Sequence, residues 1–273
     1  MTDKVAIILI STDEGHLLIP QLESLFEAPP NREIQVTVVD NASTDGARDQ
    51  IVDRWPHVRL IVQDRREGLP TNLRRGMAET SSDYAMLCDA DMLFHPGAVD
   101  ALADFLDEHP AAGIVKPKLD SPDGVPRPPA RRWYTVRSLV ALRWPLSRWT
   151  ENSKAARMSL YADWDFGEPR IVDWVPTAGV MVRRRAFDSV SGFDERFSYY
   201  FEDVDFCLRM HESGWEVWFT PAAVMVHLEN RASVRVLSEA GRTHLRSMIK
   251  FWWKHKGLKP RKSSKASLLP PFS

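Results

Sequence analysis

Between Lys4 and Glu108, four short strand-like runs alternate with four segments of helical spacing. A chain patterned this way is largely restricted to a parallel sheet covered by helices, joined by right-handed crossovers. The runs are Lys4–Ser11 (KVAIILIS), Glu33–Asp40 (EIQVTVVD), His57–Val62 (HVRLIV) and Tyr84–Cys88 (YAMLC). The first is continuously apolar, as expected of a strand buried on both faces. Helices are expected over Gly15–Ala28, which stops at Pro29-Pro30, then over Thr44–Trp55, Pro70–Thr80 and Pro96–Glu108, with Pro96 in its first turn. In such sheets ligands bind outside the carboxyl ends of the strands. The residues there are Ser11-Thr12-Asp13, Asp40-Asn41 and Asp89-Ala90-Asp91, a crevice with several carboxylates.

The rest of the chain carries less regular signals. With 273 residues, 44% of them hydrophobic and 27% charged, it suits a soluble globular protein of one large domain or two small ones. Pro117–Arg170 is rich in Pro, Arg and Trp, and five of the ten tryptophans (Trp133, Trp144, Trp149, Trp164, Trp174) lie between Arg131 and Trp174. Two readings stand open for them: the core of an irregular subdomain, or a flat apolar platform for sugars. Strands are expected again at Ile171–Val175, Ala178–Arg183, Trp215–Phe219 and Val224–His227, and helices from about Asp203 to Ser213 and from about Val236 to Lys256.

Several function classes are excluded by absence. The chain has no G-x-x-x-x-G-K-[ST], no G-x-G-x-x-G, no G-x-S-x-G, no H-E-x-x-H and no Cys-x-x-Cys. Its two cysteines, Cys88 and Cys207, each lie in an apolar stretch, which excludes a disulfide framework and points to a reducing compartment. No apolar run approaches the roughly 20 residues of a membrane span, and the N-terminus lacks the basic start and cleavage site of a signal peptide. The expected location is therefore cytoplasmic.

What remains is carboxylate chemistry. Asp89 and Asp91, two apart at a strand end, would repel each other unless a divalent cation joined them to an anionic ligand; the plainer reading is an acidic turn before a helix. Phe201-Glu202-Asp203-Val204-Asp205 puts three acids at a helix start, where the helix dipole alone would favour them. Its neighbours Tyr199, Tyr200 and Phe206 also suit one of these acids to general-base work. His227 ends the apolar run VMV, either as a structural residue or as a further metal ligand.

The ordered set VVDNASTDG (Val38–Gly46), LCDADMLFHPGAV (Leu87–Val99), VDWVPTAGVMVRR (Val172–Arg184), GFDERFSYYFEDVDFCLRMHESGW (Gly192–Trp215) and the strand-end His227 resembles family 2 glycosyltransferases of the GT-A fold. Among these it is most similar to the rhamnosyltransferase-like enzymes of bacterial cell-surface polysaccharide synthesis, over roughly residues 4–256. The resemblance implies an α/β fold of GT-A type: a mostly parallel nucleotide-binding sheet flanked by helices, a mixed acceptor-side half, and a C-terminal amphipathic helix. Residues 1–116 would form the nucleotide-sugar half, 117–230 the acceptor-binding and catalytic half of the same domain, and 231–273 a basic helix and tail. It further implies an inverting transfer of a sugar, with rhamnose a candidate, from a UDP- or dTDP-linked donor to a glycan or polyprenyl-diphosphate-linked acceptor, with Mg2+ or Mn2+.

Position by position, the resemblance puts Ser11, Thr12 and Asp13 at the first nucleotide-contacting strand end and Asp40 against a pyrimidine N–H. Asp89 would face the ribose, Ala90 would lie between the two acids, and Asp91 and His227 would hold the metal. Asp203 would be the catalytic base, with Glu202 its neighbour on the acceptor side. Thr12 stands where the family usually has an aromatic, and Arg66 and Arg74 stand where asparagines are usual, close enough in expectation to share the diphosphate's charge with the metal. A sugar-phosphate nucleotidyltransferase would need a Gly-rich loop that Ser11–Gly15 does not supply. A non-catalytic nucleotide-sugar or glycan-binding protein of the same fold is the alternative.

Charge is divided unevenly. Residues 231–273 hold eleven Lys/Arg against Glu239, a net of +10, leaving −11 on residues 1–230 of a chain whose total is −1. An acidic body is a poor nucleic-acid binder. Arg242, Arg246, Lys250 and Lys254 recur every four residues beside Leu245, Met248, Ile249 and Trp252. That pattern suits either docking on the body or peripheral binding to an anionic membrane, on the inner face of the plasma membrane.

Overall fold

The computed structural model describes residues 4–135, 154–161, 164–228 and 239–257; Trp144, Trp149, Arg231, Arg235 and the basic tail from Lys259 lie outside them. In chain order the elements are β1 (Val5–Ser11), α1 (Gly15–Glu27), β2 (Ile34–Asp40), α2 (Ala47–Arg54), β3 (Arg59–Val62), α3 (Leu69–Ala78), β4 (Tyr84–Asp89), β5 (Met92–Phe94), α4 (Ala98–Glu108) and β6 (Ala112–Asp120). There follow β7 (Pro126–Arg127), α5 (Lys154–Ser159), β8 (Arg170–Ile171), β9 (Val180–Arg183), α6 (Arg184–Ser189), α7 (Glu202–Glu212), β10 (Glu216–His227) and α8 (Glu239–His255).

These strands form one sheet ordered β3-β2-β1-β4-β9-β6-β10-β5, with β7 beside β6 and β8 beside β10. The first four strands are parallel, as their alternation with helices requires. Beyond β4 the sheet is mixed: β9 is antiparallel to β4 and β6, and β10 is parallel to β6. The division expected at 116/117 falls inside β6.

Period-2 alternation along β1 sends Ile7 and Leu9 to one apolar layer, with Leu18, Leu22 and Leu102, and Ile8 and Ile10 to the other, with Leu73, Met77 and Phe206. Close packing sets one residue of α3: a Cβ at Gly76 would lie 2.4 Å from Ile8 Cγ2, so only glycine lets the helix settle on β1.

Several strands depart from expectation. β6 was not foreseen, because Lys116-Pro117 reads as an interruption. Pairing of β6 with β9 ends at Val115, so Pro117 sits past that ladder. The two expected runs 215–219 and 224–227 are one strand, β10, with a register irregularity between Thr220 and Val224. Trp133, Trp164 and Trp174 are buried, which decides for the core reading at those three positions.

α8 divides its apolar residues. Phe251 is fully buried and Met248 packs on the core, while Leu245, Ile249, Trp252 and Trp253 are exposed. Ser247 Oγ donates to the Tyr199 carbonyl at 2.8 Å. The strongest tie is Asp205, a buried carboxylate of α7. It accepts from Arg209 (2.8 Å), Lys254 (2.5 Å) and His255 (2.7 Å). Burial alone would raise the Asp205 carboxyl, but His255, Arg209 and Lys254 outweigh it and hold it below the usual carboxylate range. Lys254 is thus the end of the basic series that turns inward; Arg242, Arg246 and Lys250 remain exposed.

Candidate active site

The carboxyl ends of β1, β2 and β4 bound a narrow cleft of about 70 Å³ lined by Thr12, Asn41, Glu67, Asn72, Asp89 and Tyr199 among others. Ser11 is buried and gives its carbonyl to the Asn41 N–H at 2.9 Å. Thr12 Oγ1 accepts from Asn41 Nδ2 at 3.1 Å. Asp13 has φ 56° and receives the Thr44 N–H at 2.7 Å; that bond first, and then Arg66, hold its carboxyl below the ordinary range. Asp40 is buried and engaged on both oxygens, by the Ser43 N–H at 2.9 Å and by Arg48, so Asn41 rather than Asp40 lines the cleft. Arg74 donates to the Ser191 carbonyl at 2.6 Å and pairs with Glu195. Both unusual arginines, Arg66 and Arg74, are therefore committed to protein partners rather than aimed together at a diphosphate.

β4 turns directly into β5 through Ala90, which is buried, and β5 pairs antiparallel with β10, placing Met92 opposite His227. That register brings together residues 136 positions apart: His227 Nε2 lies 2.9 Å from Asp91 Oδ2, and the Leu228 N–H donates to the Asp91 carbonyl at 2.8 Å. Asp91 is only 2% exposed, yet its Oδ1 has no hydrogen-bond partner among the described residues. A buried carboxylate oxygen left unmatched beside an imidazole nitrogen is the donor set a divalent cation would complete, so the residues fit such an ion. Among the described residues no group of three or more His, Cys, Asp or Glu is gathered as a ready-made metal cage. Most of the ion's shell would come from ligand oxygens and water, the usual habit of Mg2+.

The third component is the start of α7. Tyr200 (φ 66°) and Phe201 (φ 65°) are consecutive left-handed residues without glycine, each costing about 1–3 kcal/mol. They swing the chain into α7 so that Glu202 is buried and Asp203 half-buried, with Asp203 Oδ1 accepting its own neighbour's Val204 N–H at 2.8 Å. Such strain is held by the surrounding core and gathers where side chains must be aimed.

Lys116, on β6, joins these parts. It is completely buried and donates to the carbonyls of Pro176 (3.2 Å) and Ala178. Burial pushes its ammonium down to about 7, against the upward pull of Cys88, Asp89 and Asp203. Acids from the end of β4 and from α7 therefore share one electrostatic neighbourhood. The turn it holds includes Gly179, whose φ of 69° and the proximity of Met92 leave no room for a side chain. Tyr199, which lines the cleft, and Lys116, which does not, are both absent from the residues expected at the site. The available signal for Lys116 was a lysine within the apolar run AGIVKPKLD, and for Tyr199 its place in the aromatic run before the acids of α7.

The family model of Glycosyl transferase family 2 matches residues 6–161, and that of Glycosyl transferase family group 2 matches residues 84–239. The chain belongs to glycosyl transferase family 2. This glycosyltransferase is 30% identical to the N-acetylglucosaminyl-diphospho-decaprenol L-rhamnosyltransferase of Mycobacterium tuberculosis, across 93% of the chain and 88% of the relative. It is 31% identical to Rhamnosyltransferase WbbL of Escherichia coli K12, over 36% of the chain and 35% of that relative. Two solved structures share the fold. GalNAc-T7 with UDP, GalNAc and Mn2+ superposes with a TM-score of 0.65 at 15% identity, across 92% of the chain and 48% of that structure. Mannosyltransferase PcManGT from Pyrobaculum calidifontis with GDP-Man and Mn2+ gives 0.62 at 19% identity, across 95% of the chain and 66% of that structure. The GT-A architecture expected from the motifs is the one observed.

Proposed function

We propose that this glycosyltransferase inverts configuration as it moves a sugar, rhamnose by likeness to its relatives, from a UDP- or dTDP-linked donor to a saccharide carried on a polyprenyl diphosphate. The observation that carries the reading is the unmatched Asp91 oxygen beside His227, next to the nucleotide cleft. Residues up to 116 would serve the donor, and 117–230 the acceptor.

The nucleoside enters the cleft of Thr12, Asn41 and Asp89, two residues short of Asp91 in the chain. Asp91 and His227 would hold Mg2+ or Mn2+, with the imidazole favouring Mn2+; the bound ion supplies Lewis-acid neutralisation of the leaving diphosphate. Asp203 takes the proton from the acceptor hydroxyl as that oxygen attacks the anomeric carbon opposite the departing diphosphate. One displacement needs one base and no protein nucleophile. Glu202 flanks the base on the acceptor side. Purified protein incubated with a panel of nucleotide sugars should release nucleoside diphosphate from one of them; binding without hydrolysis would return the chain to the non-catalytic alternative, and neither binding nor hydrolysis with any donor would overturn the reading.

Tyr199 supplies an aromatic on the cleft that Thr12 does not. Tyr199→Ala should weaken nucleoside diphosphate binding about tenfold by calorimetry, and Tyr199→Phe should not, because a stacked ring is worth about 1–3 kcal/mol. Equal losses in both variants would assign the effect to the hydroxyl instead.

Among the described residues no helix is long and apolar enough to cross a membrane. Leu245, Ile249, Trp252 (48% exposed) and Trp253 (71% exposed) nevertheless form an apolar stripe beside exposed Arg242, Arg246 and Lys250. The proposed occupant of that stripe is an anionic lipid surface, with the rings at the interface and each cation adding about 1 kcal/mol. This would seat the enzyme on the inner face of the plasma membrane. The protein should co-sediment with anionic liposomes at low salt, and a Trp252→Ser, Trp253→Ser variant should not. Point variants are the better test than truncation, because removing α8 would also strip Phe251 from the core.

A further inference from the structure

The turn that carries Asp91 is gripped by two side chains of α1. Gln21 and Ser24 lie three residues apart on that helix and so project from one face. Gln21 Nε2 donates to the Asp89 carbonyl at 2.8 Å, and Ser24 Oγ accepts the Phe94 N–H at 3.0 Å. The two bonds take hold of the chain on either side of Asp91. A third holds the middle, from the Leu228 N–H to the Asp91 carbonyl. Ser24 Oγ gives its own proton to the Gln21 carbonyl at 2.8 Å, which leaves a lone pair for Phe94.

Gln21 stands out in its setting. The other buried residues of α1 are Gly15, Leu17, Leu18, Leu22 and Leu25, and Gln21 is 0% exposed among them. Its Oε1 has no hydrogen-bond partner among the described residues. Only the N–H side of an amide can face a carbonyl, so the bond to Asp89 leaves that oxygen in the apolar layer. An unmatched buried amide oxygen is a cost that leucine or methionine would avoid at this position. Packing of α1 on β5 therefore does not call for an amide, whereas the Asp89 carbonyl does.

We propose that Gln21 and Ser24 are positioning residues of the metal site, a clamp on the Asp89–Phe94 turn that keeps the Asp91 carboxylate against His227. The inference rests on the reading of Asp91 and His227 as the protein ligands of the ion. Neither clamp residue lines the nucleotide cleft, so both act through the backbone of the turn. With no group of three ligating side chains among the described residues, the ion's place depends closely on where this turn sits.

The test is calorimetric binding of UDP or dTDP, whichever the wild type holds more tightly, to the full-length protein. It is run once with Mn2+ and once with chelator, alongside thermal unfolding. Gln21→Met keeps the length of the side chain and removes the amide. It should weaken binding with Mn2+ about 10- to 100-fold and leave binding under chelator within about twofold of wild type. Its unfolding temperature should stay close to that of wild type, because an unmatched oxygen is lost together with a bond. Ser24→Ala should act in the same direction, and Ser24→Thr, which keeps the hydroxyl, should restore binding. Wild-type affinity with Mn2+ in Gln21→Met overturns the clamp. A loss of equal size with and without Mn2+ overturns it too, since that marks a residue needed only for packing. A wild type that binds the nucleotide equally well with Mn2+ and with chelator overturns the reading of Asp91 and His227 itself, and the clamp with it.

Discussion

Replacing Asp91 with alanine is expected to abolish donor turnover, with a fall of about 10³-fold or more, and to weaken nucleoside diphosphate binding in the presence of Mn2+. The charge of a diphosphate would then meet Asp89 and its neighbours with no cation between them. His227 would also lose its 2.9 Å partner, so the second ligand would no longer be oriented. Chelation of the wild-type protein should reproduce both effects, and the variant should be indifferent to chelator. Wild-type activity in the variant, or in the chelated enzyme, would remove Asp91 from the role given to it.

Asp203→Asn is expected to lower kcat by about 10²–10⁴-fold while donor affinity stays within a factor of a few. The amide keeps the shape of the carboxylate, and its oxygen can still accept the Val204 N–H, but it cannot take a proton. The strained Tyr200-Phe201 entry to α7 is untouched, so a folded protein should result. A matched loss of nucleoside diphosphate affinity would instead mark Asp203 as part of the donor site.

The first half of this fold was legible because β1, β2 and β4 are largely buried on both faces and its helices on one, which writes two different periods into the sequence. β1, β2 and β4 accordingly fall within a residue or two of their expected ends. Topology alone likewise puts Asp40 and Asp89 at strand ends, though of these two only Asp89 lines the cleft. Legibility ended where pairing is set by distant partners. β6 hides behind Lys116-Pro117 because a buried lysine is tolerated only when carbonyls from residues 176 and 178 come to meet it. Asp40 shows the converse limit: its position was read correctly, but its commitment to Arg48 depends on side-chain geometry that spacing does not encode. The adjacency of Asp91 and His227 needed the β5–β10 register, and a three-residue strand gives almost no sequence signal.

Lys254 and His255 both close on Asp205, two residues after Asp203 in the same helix. The exposed stripe of α8, proposed to meet lipid, and Asp203, proposed as the base, therefore belong to one rigid lever. Were the enzyme to rest on a bilayer as proposed, the height of the reaction above the head groups would be fixed by the protein and not by the acceptor. Such an arrangement works as a gauge: a carrier presenting its hydroxyl one sugar above the diphosphate and a carrier presenting it three sugars above cannot both meet Asp203. Chain length would then be selected by standoff alone, without a single contact that counts residues.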